Sequence, residues 1–222
     1  MEIFENIQKE ILNNLIFIPE IESFYLTGGT ALSAFYLFHR KSNDLDFFTS
    51  EEELIMPFSL KIEETLRKKG LEIERTRGLR SFVELVVSSP SESTIVHLAL
   101  DSPYRLEPFI NSENFQGLKI DNLTDIAANK LLALFERATL RDFVDVYFLI
   151  KEKFKKADLI EKARTKDPGF DIYWLGTAFE RINEFSMDSP EMLLLVKPCS
   201  MKELQEFFNE WRREIFKEIT KG

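Results

Sequence analysis

The chain has 222 residues, 44% of them apolar, which is enough to bury the core of one large domain or two small ones. A single cysteine, Cys199, excludes a disulfide framework and favours a reducing compartment; its plainer interpretation is a small buried hydrophobe. The formal charge of −9 lies entirely in residues 1–150, because residues 151–222 carry 14 basic and 14 acidic side chains. This balance favours cations at an acidic face, and any RNA contact would need local basic patches.

Apolar residues recur at helical spacing between residues 2 and 16 and predict an amphipathic helix that packs on the core and ends before Pro19. This acidic N-terminus is unlike a signal peptide, and no apolar run reaches membrane-spanning length. We therefore expect a soluble, cytoplasmic protein without a membrane partner.

The stretch YLTGGTALSAFYLFHRKSNDLDFFT, residues 25–49, predicts a strand, a turn at Gly28 and Gly29, a helix from Thr30 to about Phe38, and a second strand that begins at Asp44. Paired glycines between a strand and a helix let the backbone approach a phosphate closely, and a helix N-terminus favours negative charge there. Taken alone, a Gly-Gly pair is equally well explained as an ordinary turn.

Asp44 and Asp46 are two residues apart on the predicted strand, so both carboxylates point to the same face and the intervening Leu45 points to the other. Two carboxylates on one rigid face suit Mg²⁺, which takes a few protein oxygens and completes its shell with phosphate and water. A phosphate-binding turn followed by a metal pair is typical of nucleotidyl or phosphoryl transfer. Taken alone, an Asp-x-Asp at a strand start is also typical of an exposed edge.

The middle of the chain predicts a helix at residues 57–69, a hairpin of strands at 71–77 and 81–88 across Gly78, a strand at 94–100, and a short edge strand at 115–120. Five or six strands with helices around them indicate an α/β fold with a mixed sheet of nucleotidyltransferase type. We expect this domain to cover residues 1–120.

From residue 121 the pattern becomes helical, with further helices near 157–166, 171–185 and 201–219, so a C-terminal helical domain is predicted for residues 121–222. On one continuous helix Lys130, Arg137 and Arg141 would form a narrow cationic stripe. Such a stripe could hold a triphosphate or stabilise departing pyrophosphate. The alternative is a solvated face whose cations pair with Glu136 and Asp142.

Two motifs together resemble the AbiEii/AbiGii toxin family of minimal nucleotidyltransferases, within the polymerase-beta-like superfamily. The first is GGTAL, HRKS and DLDFF in this order; the second is the pattern K-x-x-A-x-x-x-R-x-x-x-R-D-x-x-D, residues 130–145. The resemblance implies that Asp44 and Asp46 hold Mg²⁺ or Mn²⁺, and that Lys130 with Asp142 or Asp145 is catalytic. It implies nucleotide contacts for Gly28, Gly29, Thr30, Arg40, Ser42, Lys130, Arg137 and Arg141.

One position departs from the superfamily pattern, which usually places a third acidic residue on a later strand facing the Asp pair. In IVHLALDSPYRL the expected position is Ala99. Asp101, one pleat further along the same face, and Glu84 on the neighbouring strand are the candidate substitutes, and Asp101 is the predicted third metal ligand. His97 shares that face and could line the pocket.

The sequence therefore predicts an enzyme that moves a nucleotide from an NTP to an acceptor hydroxyl. The resemblance implies that the acceptor is RNA, notably tRNA ends, in a toxin–antitoxin or phage-defence setting with a cognate antitoxin as a partner. The alternatives are a nucleotide-binding regulatory module that has lost catalysis, which Ala99 suggests, and a small-molecule nucleotidyltransferase.

Overall fold

The computed structural model describes residues 3–221, which divide into two compact units. The first unit comprises the chain up to Tyr36 together with Lys41–Asn122. The second comprises Leu37–Arg40 together with the chain from Leu123 onward. The domains predicted from the sequence, 1–120 and 121–222, place 37–40 in the first domain; in the structure these four residues cluster with the helices.

The first unit is built on a seven-stranded mixed sheet of order β3-β4-β5-β2-β1-β7-β6. Strand β2 runs parallel to β5 and antiparallel to β1, while β7 runs parallel to β1. The strands are β1 Tyr25–Thr27, β2 Asp44–Thr49, β3 Glu72–Leu79, β4 Phe82–Ser88, β5 Ser93–Leu100, β6 Ile110–Asn111 and β7 Lys119–Ile120. The predicted mixed α/β sheet is confirmed.

Alternation along the strands decides which face is buried. Leu45 and Phe47 on β2 and Val96 and Leu98 on β5 have no exposed surface, whereas the residues between them are half-exposed. The buried face packs against helix α3, Glu52–Lys68, with helix α1, Asn6–Leu15, beside it. The other face therefore carries polar side chains at an accessible surface.

Several element boundaries differ from the sequence prediction. Helix α3 begins at Glu52 rather than at Pro57, because Glu52 and Glu53 favour the positive end of a helix. A short helix α2, Gly28–Ala31, starts at the glycines themselves and continues as a π-helical segment, Leu32–Leu37. At this end of the sheet the edge strand is β6, which the sequence did not predict. Strand β7 lies between β6 and β1.

The second unit contains helices α4 Leu123–Glu136, α5 Leu140–Glu152, α6 Lys156–Lys166, α7 Ile172–Ala178 and α8 Met201–Ile219, with short 3₁₀ helices at Phe179–Glu184 and Pro190–Leu194. The predicted helical C-terminal region is confirmed. Its core includes fully buried aromatic rings, among them Phe143, Phe179, Phe208 and Trp211. None of the helices described between residues 3 and 221 is long and apolar enough to cross a membrane.

The single continuous helix on which Lys130, Arg137 and Arg141 would form a stripe is wrong. Helix α4 ends at Glu136, Ala138 adopts a φ of +46°, and α5 begins after Thr139. Asp142 accepts hydrogen bonds from the Thr139 backbone N–H, at 3.2 Å, and from its hydroxyl, which favours a new helix start at this point. Lys130, on α4, therefore shares no single helix face with Arg137 and Arg141.

The packing of α3 on the sheet can be tested with two substitutions on that helix. Phe58 is fully buried and its ring centroid lies 4.5 Å from that of Phe24, whereas Leu60 is 57% exposed. We expect Phe58→Ala to lower the free energy of unfolding by about 3–5 kcal/mol, because it opens a cavity. Leu60→Ala should change it by less than about 0.5 kcal/mol. Equal effects in urea denaturation would contradict the assigned helix face.

Candidate functional site

Asp44 and Asp46 lie side by side on β2, as the sequence predicts. Burial alternates along this strand, so both carboxylates are on its accessible face while Leu45 and Phe47 are buried on the other. The side chain of Asp46 keeps 22% of its surface exposed. The pair therefore presents oxygen ligands at a surface that a substrate can reach.

Gly28 makes room for one of these carboxylates. Its φ of +72° lies in the left-handed region, and a Cβ at this position would overlap Oδ2 of Asp46. Two residues further on, the hydroxyl of Thr30 donates a hydrogen bond to the backbone carbonyl of Asp44. This hydrogen bond thus holds the start of α2 against β2. Gly29 is buried in the first turn of α2. Phosphate binding by these residues stays a prediction.

A row of polar side chains crosses three strands beside this pair. The pairing register places His97 of β5 opposite Asp46 and Glu84 of β4 opposite His97. Nδ1 of His97 lies 2.8 Å from Oδ1 of Asp46, and Nε2 lies 3.2 Å from Oε2 of Glu84. The other oxygen of Glu84 accepts a hydrogen bond from the Thr76 hydroxyl at 2.6 Å.

These contacts change the ionisation of the row. Burial lowers the pKa of His97, but the hydrogen bond with Asp46 and the charges of Asp46 and Asp44 outweigh it, so the pKa is raised. The hydrogen bond from Thr76, followed by the one with His97, lowers the pKa of Glu84. The contacts of the row thus shift the pKa values of His97 and Glu84 in opposite directions.

The structure corrects the predicted position of the third acidic residue. Ala99 lies opposite Phe48, one pleat beyond the level of Asp46, and the residue opposite Asp46 is His97. Asp101 follows the end of β5, four residues past His97, which corresponds to about 13 Å along the strand. Its carboxylate accepts a hydrogen bond from the Tyr25 hydroxyl. Asp101 is therefore not brought to the Asp44–Asp46 pair.

Nothing in the sequence alone fixes this register. A parallel strand pair is joined by a long crossover, so the offset between β2 and β5 has no local turn to define it. The sequence placed His97 and Glu84 near the pocket but missed their contact with each other and with Asp46. The one available indication was that His97 and Ala99 share a strand face.

The second unit holds a separate polar cluster around Asp145. Its carboxylate has no exposed surface and contacts Nε2 of His39 at 2.7 Å and Nζ of Lys130 at 2.7 Å. Arg40 binds it through two nitrogens, Nε at 2.7 Å and Nη2 at 2.8 Å. The cluster thus joins residues of both sequence motifs within one unit.

The cations of this cluster hold Asp145 ionised. Burial would raise the pKa of Asp145, but the charges of Arg40 and Lys130 and the hydrogen bonds from Arg40 and His39 hold it well below its usual range. Burial lowers the pKa of His39, so the ring stays neutral and its Nε2–H can donate to Asp145. The arrangement is a fully buried, charge-assisted anchor.

The remaining predicted residues are placed as follows. Asp142 has no exposed surface and binds Nε and Nη2 of Arg137, each at 2.9 Å, in addition to capping α5. Burial raises its pKa, but the hydrogen bond from Arg137 and the charge of Lys130 outweigh this, and the pKa is lowered. Arg141 is exposed. Ser42 is buried, and its carbonyl accepts a hydrogen bond from Gln8 at 2.8 Å. The nucleotide contacts assigned to these residues stay predictions.

The donor set on β2 fits a divalent cation that a substrate helps to bind. Within residues 3–221, no three His, Cys, Asp or Glu side chains are gathered in an arrangement that would hold a metal ion by themselves. Two carboxylates on one face match Mg²⁺, which is usually held by one or two carboxylates and by substrate phosphates. The space left by Gly28 allows the carboxylate of Asp46 to lie against the backbone.

Comparisons with solved structures define the fold as that of a nucleotidyltransferase. A candidate nucleotidyltransferase from H. pylori matches with a TM-score of 0.61 and 20% identity, over 96% of this chain and 93% of that one. MenT4, a nucleotidyltransferase toxin from Mycobacterium tuberculosis H37Rv, matches with a TM-score of 0.56 and 17% identity, over 91% and 81%.

Sequence comparison identifies the family. Residues 10–193 match the model described as nucleotidyl transferase AbiEii toxin, Type IV TA system. An uncharacterized protein of Aquifex aeolicus strain VF5 is 30% identical over 176 residues, which is 74% of this chain and 77% of that protein. The chain belongs to the AbiEii nucleotidyltransferase toxin family.

The contact between Gly28 and Asp46 can be isolated with a matched pair of glycines. Gly28 and Gly70 both have positive φ, but a Cβ at Gly70 meets no atom within 4 Å. Each substitution by alanine should cost about 1–2 kcal/mol of stability from backbone strain. Gly28→Ala should cost more, because it also displaces the Asp46 carboxylate. Equal unfolding free energies for the two variants would contradict the close contact.

The Asp145 cluster predicts a stability change with a defined pH dependence. Asp145→Asn should destabilise the protein by about 3–5 kcal/mol near neutral pH, because buried cations lose their carboxylate. A depressed folded-state pKa contributes stability above the unfolded value of about 3.9, and this contribution is lost as the pH falls through the folded pKa. The difference from wild type should therefore narrow below about pH 4. The exposed Glu161→Gln variant should stay close to wild type, and a pH-independent difference for Asp145→Asn would contradict the assignment.

Proposed function

We propose that this protein is a metal-dependent nucleotidyltransferase that moves a nucleotide from an NTP to an acceptor hydroxyl. The observation that carries the proposal is the same-face placement of Asp44 and Asp46 beside Gly28, at the junction of a strand and a helix. Membership of a nucleotidyltransferase toxin family supports it.

Asp44 and Asp46 would hold Mg²⁺ or Mn²⁺. Such an ion would supply positive charge that stabilises phosphate oxygens and would lower the pKa of an attacking hydroxyl. The backbone of the turn at Gly28 and Gly29 is the proposed phosphate contact; Gly28 leaves the space in which the Asp46 carboxylate lies, and the Thr30 hydroxyl fixes this turn to the backbone of Asp44. The chain's own contribution is thus to orient two carboxylates and the phosphate-binding turn relative to each other.

Lys130 is proposed to neutralise charge on the nucleotide. Its side chain is 11% exposed, and its amine is oriented by Asp145 at 2.7 Å. A lysine held by a buried carboxylate loses less conformational freedom when it binds a phosphate than a freely rotating one. Because the same contact anchors the helical unit, substitutions at Lys130 must be read together with protein stability.

The proposed acceptor is RNA, notably tRNA ends, and the proposed setting is a toxin–antitoxin or phage-defence system with a cognate antitoxin. The description of the matching family as a toxin of a toxin–antitoxin system supports the setting. The net charge of −9 argues that RNA is recognised through local contacts rather than through a broad basic surface.

A second candidate is a nucleotide-binding module without catalysis. It is favoured by His97, which occupies the level of Asp46 where a third carboxylate was expected. Such a module would bind an NTP with a divalent cation and transfer nothing.

Both candidates can be separated in one assay. The full chain is incubated with each labelled NTP, Mg²⁺ or Mn²⁺, and total RNA, and RNA is resolved on a gel. We expect label in a discrete RNA species with one NTP. Asp46→Asn should lower this transfer by at least about 100-fold, because it removes a charged metal ligand.

The exposed Glu74→Gln variant, on β3 at the edge of the same sheet, should transfer at the wild-type rate. NTP binding without transfer to RNA or to small hydroxyl acceptors would favour the regulatory module. Unchanged transfer by Asp46→Asn would contradict the proposed site.

A further inference from the structure

His97 lies opposite Asp46 on the neighbouring strand β5, and Glu84 contacts the other side of its ring. Asp46, His97 and Glu84 occupy directly paired positions on β2, β5 and β4. Directly opposite residues are the closest side-chain neighbours across strands. The row is therefore built into the sheet and does not depend on a flexible loop.

Both ring nitrogens of His97 are engaged. Nδ1 lies 2.8 Å from Asp46 and Nε2 lies 3.2 Å from Glu84. The Phe82 ring lies beside the imidazole, with centroids 5.5 Å apart and planes inclined by 34°. A histidine in this arrangement has no nitrogen left to take a proton from an acceptor hydroxyl, but its ring plane is well defined.

Asp46 is restrained on both oxygens. Oδ1 contacts His97, while Oδ2 occupies the space that a Cβ at Gly28 would fill. A carboxylate on a short side chain can otherwise rotate about its terminal bond. With one oxygen tied to the imidazole, the other is left in a fixed direction on the accessible face.

We propose that His97 is a positioning residue: supported by Glu84, it holds the carboxylate of Asp46 in the orientation that binds the divalent cation. The inference rests on the proposed function, since it assigns a role within the same site. It places a histidine–glutamate pair opposite Asp46 and leaves Asp44 and Asp46 as the proposed carboxylate ligands. Outer residues of this kind are typically worth about 10- to 100-fold in metal affinity or activity.

Cation binding to the full chain in complex with a non-hydrolysable NTP analogue, whose phosphates complete the metal's ligands, tests the role directly. Mn²⁺ affinity is measured by electron paramagnetic resonance for wild type, His97→Ala, His97→Gln, Glu84→Gln and the double variant His97→Ala/Glu84→Gln. Glu74→Gln is the matched surface control, Asp46→Asn is the ligand control, and urea denaturation confirms folding of each variant.

We expect His97→Ala to weaken Mn²⁺ binding by about 10- to 100-fold. His97→Gln should recover part of the loss, because its amide can still donate to Asp46. Glu84→Gln should weaken binding less than His97→Ala and should have no further effect in the double variant, because Glu84 acts through His97. In the transfer assay, the same variants should lower kcat in the same order.

The direction of the change in Mn²⁺ affinity distinguishes a positioning role from an effect of charge alone. Loss of a side chain without a positioning role would leave Mn²⁺ binding unchanged, and loss of one that only repels the cation would tighten it. Either result for a folded His97→Ala variant would overturn the inference. Additive effects of His97→Ala and Glu84→Gln would overturn the role of Glu84. If Asp46→Asn itself leaves Mn²⁺ binding unchanged, the metal site of the proposed function fails as well. Weaker Mn²⁺ binding in Asp46→Asn but not in His97→Ala would agree with the proposed function and contradict only the role of His97.

Discussion

The site depends on one constraint, the alternation of side chains along β2. Leu45 and Phe47 are fully buried against the helical layer, and this burial fixes the strand face on which Asp44 and Asp46 lie. A slip of one residue in register would expose two large apolar side chains and bury two carboxylates, at a cost of many kcal/mol. The hydrophobic core therefore orients the acidic pair, and Gly28 supplies the space in which one of its members rests.

A different principle governs the helical unit, where charge itself is buried. Asp145 would be very unfavourable without partners, but Arg40 and Lys130 bind it and His39 donates a further hydrogen bond. The segment 37–40 is tied to this unit by its backbone as well, because the His39 carbonyl accepts hydrogen bonds from Val196 and Lys197 at 2.8 and 3.0 Å. The His-Arg pair that forms part of the nucleotidyltransferase motif thus has a structural role in the helical unit, alongside any contact with nucleotide.

The row from Asp46 to Glu84 is built from paired strand positions and involves no loop. Three directly paired positions place an imidazole between two carboxylates, and each member lies on a regular strand whose backbone hydrogen bonds keep it in place. Because strands are rigid, a substitution in such a row acts on the orientation of its neighbour more than on the fold. The residue of β5 opposite Asp46 is a histidine rather than a carboxylate, and this limits the ligands that β5 can offer at that level.

The sequence by itself determined what depends on local pattern. The period of two at Asp44 and Asp46 predicted their common face, and the glycines marked the strand-to-helix junction, because these features are set by residues within one turn or one strand of each other. The order of the motifs indicated a nucleotidyltransferase. Only the tertiary structure decided the rest. It ended α4 before Arg137 and so removed the predicted cationic stripe, it brought Lys130 and Arg40 to Asp145, and it set His97 rather than Ala99 or Asp101 opposite Asp46. The register of a parallel strand pair and the partners of a buried charge are fixed by packing between segments that are far apart in the sequence. Asp46 and His97 are 51 positions apart, and Arg40 and Asp145 are 105 positions apart. No local sequence pattern determines which of these distant residues come into contact.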